Sequence, residues 1–183
     1  EAVELAAGAD ELFRRGTADL HLGLSDLYLE LDDFEAAAKY LQQAEAIGEH
    51  DGSAHWRYRL CLGQARIAKA QGDLSGALER LDEALSRYVP TPVPDVRPIA
   101  AQKARIWIAQ GNVSNARQWA HERGLSVDDD LSYLREFEYI TLARLLIAEY
   151  RHGHLEHSIQ DATTLLARLL DSAQAGQRMG SVL

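Results

Sequence analysis

Residues Gln64–Tyr88 read QARIAKAQGDLSGALERLDEALSRY. The first part is a helix-forming run that ends at Gly72. Asp73 follows, and its carboxylate can accept from the free N–H groups that open a helix. Beyond it Leu74, Ala77, Leu78, Leu81, Ala84, Leu85 and Tyr88 recur at i, i+3, i+4 and i+7, which predicts a second helix with one apolar stripe. Such a hairpin cannot bury its apolar faces alone, and the chain supplies neighbours. Asp33, Asp73 and Asn112 are helix-capping residues 40 and then 39 residues apart, and Ala37, Ala77 and Ala116 follow at the same two spacings. A fixed period of this size marks an array of helical hairpins. Leu81, Ala77, Ala116 and Trp107 are expected to be buried, and Glu79, Arg80 and Glu83 exposed.

The rest of the chain fits this pattern. Its 183 residues are rich in Ala, Leu, Arg, Glu and Asp, and all four prolines lie between Pro90 and Pro98. Both facts favour an all-α fold. The formal net charge of −9 argues against a grip on a nucleic-acid backbone. Cys61 is the sole cysteine, so no internal disulfide can form, and a reducing, cytoplasmic setting is expected. No run of about 18 apolar residues could span a bilayer. The opening EAVELAAGADELFRR reads as an amphipathic helix and not as a signal peptide. The chain enters inside a helix, and GSVL at its end reads as the start of another, so a piece of a longer protein is expected.

The period divides residues 1–183 into one helical-repeat domain. Residues 1–16 are expected to be the second helix of an incomplete repeat, closed at Gly16. Repeats follow at 17–50, 51–92, 93–130 and 131–176, with 177–183 opening a further one. Gly48 is placed to cap the second helix of the first repeat. Asp130 is placed to cap the helix that opens the fourth, whose turn, EYRHGHLEH, is expected to be about three residues longer. The positions His21, Leu24, Ser25 and Tyr28, then Ala37 and Leu41, keep the size pattern of a tetratricopeptide repeat, although 39–40 residues exceeds the usual 34. The expected architecture is a right-handed superhelix of stacked antiparallel hairpins, with first helices inside and second helices outside.

Four stretches carry a closer resemblance: LYLELDDFEAAAKYLQQAEAIGE, QGDLSGALERLDEA, PDVRPIAAQKARIWIAQG and GLSVDDDLSYLREFEYITLARLLIA. They resemble the sensor region of large MalT-type regulators of the LuxR family. These bacterial proteins carry an ATPase module first, then helical repeats, then a helix-turn-helix domain. The resemblance implies a regulatory, inducer-sensing role. No nucleophile–base pair or metal set stands out in the sequence, so an enzyme is not expected. No G-x-x-x-x-G-K-[ST] phosphate loop occurs, so no cofactor is expected here, and ATP belongs to an upstream module. DNA would be contacted only through a separate helix-turn-helix domain.

A second ladder runs beside the first. Ala65-Arg66, Ala104-Arg105 and Ala143-Arg144 lie at 39-residue steps, with Ser25-Asp26 as the first-repeat counterpart. By resemblance, first helices line a concave groove and the residue after the small packing position points into it. Asp26, Arg66, Arg105 and Arg144 then form a row, with Arg59 and Lys69 one turn away on the same face. Guanidinium groups fork onto carboxylates and phosphates, which suggests an anionic inducer or an acidic protein segment. Internal pairing is the competing reading, with Asp26 in line for Arg66 and Glu136 or Glu138 for Arg105.

Other chemistry is thinner. His152, His154 and His157 have a spacing that could ligate Zn²⁺ or Ni²⁺, but no further ligand set completes it and a solvated turn is the expectation. Asp128, Asp129 and Asp130 lack the glycine and distal glutamate of a calcium loop, and are expected to serve a helix N-terminus. Trp107 and Cys61 are expected in the core, while Trp56 is the aromatic to watch for stacking on a ligand. The expected function is the sensor or interaction module of a MalT-type regulator, with self-association of the longer protein allowed. The alternative is a generic protein-interaction scaffold with no small-molecule ligand.

Overall fold

The structure, a computed structural model, describes residues 2–48, 54–88, 90 and 94–176. Among the described residues it is all-α: α1 Ala2–Glu30, α2 Phe34–Gly48, α3 Ala54–Ala70, α4 Leu74–Ser86, α5 Ile99–Ala109, α6 Val113–Glu122, α7 Glu136–Gly153 and α8 Glu156–Ala175, with a short 3-10 turn, Tyr133–Arg135, ahead of α7. Helices pair as α1/α2, α3/α4, α5/α6 and α7/α8, the hairpin arrangement of a tetratricopeptide-like array. Two compact units divide the chain, 1–90 and 91–183.

Three of the four turns are built alike. Helices α1, α3 and α5 are each followed, two residues on, by a residue with positive φ, namely Asp32 at 57°, Gly72 at 83° and Gly111 at 75°. This left-handed conformation aims the next N–H back at the helix. Asp33 N–H donates to the Tyr28 carbonyl at 2.9 Å, Asp73 to Ala68 at 2.9 Å and Asn112 to Trp107 at 2.8 Å. The same three residues then cap the following helix, their side-chain oxygens accepting from Ala36, Gly76 and Asn115 N–H at 3.0, 2.9 and 3.3 Å. Each turn therefore satisfies both helix ends with one short stretch of chain.

The fourth connection differs, and not as expected. The added residues lengthen α7, which runs to Gly153, while the turn itself contracts to His154 and Leu155. His154 takes the left-handed position with φ 50°. Gly16 does not close a helix, contrary to expectation. Helix α1 passes through it without a break. A helical glycine costs about 1 kcal/mol relative to alanine but does not by itself stop a helix.

The core of residues 1–90 joins Ala18, Leu22 and Leu29 of α1, Ala37, Leu41 and Ala44 of α2, and Trp56, Leu60 and Ile67 of α3. Gly48 belongs to the packing: a Cβ there would fall 2.2 Å from the Trp56 indole. Gly63 similarly makes room for Leu41. Trp56 is thus a core side chain, 4% exposed, and not an open stacking platform. In residues 91–183 the core gathers Ala101, Ala104, Ala116, Trp119, Tyr139, Leu142 and Leu165.

Ala77, Leu81 and Ala116 are buried as expected. Trp107 is only partly buried, with Lys103 Nζ 5.4 Å above its ring. Glu79 and Arg80 are exposed, but Glu83 is half-buried between Arg80 and Arg87, which it meets at 2.9 and 3.5 Å. The apolar stripe of α4 fades at its end, leaving Leu85 and Tyr88 exposed.

Candidate functional site

The expected row of charges resolves differently in each unit. In residues 1–90 it closes on itself. Arg59 meets Asp19 at 3.1 Å and Asp26 at 3.5 Å, while Arg66 meets Asp26 at 3.4 Å and Glu30 at 2.7 Å. Two arginines of α3 are therefore matched by three carboxylates of α1, zipping the first helices of adjacent hairpins together. Lys69 lies exposed in the last turn of α3 and makes an interaction of its own. Half-exposed pairs of this kind contribute roughly 0–1 kcal/mol each.

Residues 91–183 place Arg105 and Arg144 on the neighbouring first helices α5 and α7, which pack together. Arg105 crosses to α7: its guanidinium carbon lies 3.6 Å from the centre of the Phe137 ring, and its Nε–H donates to Thr141 Oγ1 at 2.9 Å. Thr141 is fully buried and in turn donates to the Phe137 carbonyl at 2.7 Å. Phe137, Thr141 and Arg144 follow at i, i+4 and i+7 on one face of α7. Among the described residues no carboxylate lies within ion-pairing distance of Arg105 or Arg144. Burial pulls the Arg105 pKa down to about 10, with the positive charges of Arg144 and Arg97 adding to the effect. Glu136 and Glu138 do not meet Arg105, contrary to the internal-pairing expectation.

This geometry is a set of hairpins whose first helices carry the charge ladder. The profile for the MalT-like TPR region, TPR standing for tetratricopeptide repeat, matches residues 1–183. The chain belongs to the MalT-like TPR region family. A search of curated proteins and a search of solved structures each gave no significant match. A MalT-like TPR region is a repeat scaffold rather than a catalytic fold.

On its other side α7 of this MalT-like TPR region carries acids, each held by arginines. Glu138 is 1% exposed and accepts from Arg123 Nε at 2.7 Å and Arg135 Nε at 2.8 Å. Burial alone would raise its pKa, but the two guanidinium hydrogen bonds outweigh that and hold the carboxyl below its ordinary value. Glu149 accepts from Arg117 Nε at 2.8 Å and from Ser158 Oγ at 3.3 Å. Sequence reasoning missed both clamps. Their only local signal is Arg135 three residues before Glu138, since Arg123 and Arg117 reach across from the α6 hairpin.

The remaining candidates have structural roles. Asp130 caps no helix: Ser132 and Arg135 hold the cap positions ahead of the 3-10 turn and α7. Asp129 instead closes its own loop, accepting from Ser126 N–H at 3.0 Å and from the Tyr139 hydroxyl at 3.3 Å. Arg168 of α8 ties that loop down by donating to the Val127 carbonyl and, at 2.7 Å, to that of Asp129. His152 Nδ1 lies 2.9 Å from the Ala148 carbonyl of its own helix, and the His154 ring meets Tyr150 edge-on. Among the described residues no group of three or more His, Cys, Asp or Glu side chains is placed to hold a metal ion. Cys61 is buried, and burial together with Glu83 pushes its thiol up to about 11, away from nucleophilic use. No helix described is long and apolar enough to cross a membrane.

Proposed function

We propose that this chain is the sensor region of a bacterial MalT-type transcriptional regulator of the LuxR family, acting in the cytoplasm. It binds an inducer or a protein segment on the faces of its first helices. Binding shifts an equilibrium between resting and active forms of the longer protein, by as much as the ligand's affinity differs between them. One observation carries this reading: the family match spans the whole chain. It is supported by Arg105 and Arg144 on the packed helices α5 and α7, with no carboxylate in ion-pairing distance among the described residues.

Reading the coding sequence on both sides tests it. A phosphate loop upstream and a helix-turn-helix downstream are expected. A gene with neither would contradict the regulator reading and favour an interaction scaffold without a small ligand.

A further inference from the structure

We infer that Arg105 and Arg144 form a binding site for one oxyanion group, carboxylate or phosphate, of a small anionic ligand. The inference deepens the sensor reading, whose ligand face it places on α5 and α7. It starts from the way Arg105 is held. One face of its guanidinium lies on the Phe137 ring at 3.6 Å, and its Nε–H is spent on Thr141 at 2.9 Å. Thr141 is itself buried and fixed to its own helix. The guanidinium is thus oriented before any ligand arrives, and its two Nη groups have no acceptor among the described residues. This edge is the fork that matches two oxygens of a carboxylate or phosphate. Arg144 stands one turn beyond Thr141 on the same face and is exposed, so a second cation borders the same spot.

Half-burying a cation beside another is unfavourable unless an anion answers it. Several other arginines are answered by carboxylates: Arg59 and Arg66 by Asp19, Asp26 and Glu30, Arg123 and Arg135 by Glu138, and Arg117 by Glu149. Glu138 and Glu149 of α7 are spent on Arg123, Arg135 and Arg117, and the pull of Arg144 on the Arg105 pKa agrees with the absence of an answering anion among the described residues. A small anion suits this arrangement better than an extended acidic segment. The arginines of α3 are already matched by carboxylates, so they offer no continuation of the row.

The test is a ¹⁵N–¹H spectrum of the arginine Nε–H groups of the intact chain, titrated at constant ionic strength with inorganic phosphate and separately with succinate. Arg105→Lys identifies the Arg105 signal by removing it. The expected result is a saturable shift of that signal with at least one of the two anions. It should weaken about tenfold or more in Arg144→Ala, the cost of a charged hydrogen bond, and persist in Arg66→Ala. A response to phosphate alone assigns a phosphorylated ligand, and one to succinate alone a carboxylate. A shift that does not saturate, or that survives unchanged in Arg144→Ala, overturns the proposal. So does a response to a polyglutamate peptide with none to either small anion. These outcomes leave the flanking-gene test untouched, so the anion site and the regulator reading can fail separately.

Discussion

Gly48 owes its place to the indole of Trp56, which lies where a side chain would begin. Gly48→Ala should therefore destabilise residues 1–90 by about 1–3 kcal/mol through overpacking, read as a lower denaturant midpoint with an unchanged slope. Glu138 makes a second prediction. Its carboxyl is held below the ordinary range, so its contribution is present above the unfolded carboxyl pKa and is lost as pH falls through the lower folded value. Glu138→Gln should cost about 1.5–3 kcal/mol at neutral pH, the scale of hydrogen bonds to charged groups. Parent and variant midpoints should converge in acid, and a gap that stays constant with pH would contradict the account. Arg105 is half-buried. Its stacking on Phe137 and its bond to Thr141 mean that Arg105→Glu perturbs the fold as well as the site. Arg144, exposed, is the cleaner probe of binding.

At the scale of the element, the turns were the most legible feature of the sequence. Asp33, Asp73 and Asn112 announce them because capping is local: the donor and acceptor lie three residues apart. The buried alanines follow, since hairpins that approach closely need small residues. Ala77, fully buried, should accept leucine only at a cost of about 1–3 kcal/mol in the denaturant midpoint. An unmoved midpoint would count against the close contact. Helix ends without a cap were less legible. Gly16 has the composition of a stop, but the backbone around it stays helical, and nothing in its neighbours' sequence distinguishes the two outcomes. Charge partners were legible only where the period itself supplied them. Asp26 lies one repeat from Arg66 and meets it. Glu138 turns away from Arg105 because Arg123 and Arg135 take both of its oxygens, and that choice depends on how α6 and α7 cross.

Two units, each with two hairpins and its own core, make up the whole molecule. Residues 91–183 expressed alone should keep their helical circular dichroism and melt cooperatively, although a domain of that size has a modest margin. A fragment without a cooperative transition would contradict a self-sufficient core. The spacing of Asp26, Arg66, Arg105 and Arg144 suggests one row. The two units use it differently, for internal pairing in 1–90 and, in 91–183, for a pair of cations with no answering carboxylate among the described residues. A metabolite thermal-shift screen run in parallel on the parent and on Arg144→Glu distinguishes these two uses. A ligand at a hundred times its Kd adds about 2.7 kcal/mol, or roughly 5–10 °C in a chain of this size. The expected result is an anionic metabolite that raises the parent midpoint by this order, with the rise lost in Arg144→Glu while that variant's ligand-free midpoint stays at the parent value. A variant that melts early yet keeps the full ligand-induced rise would contradict it.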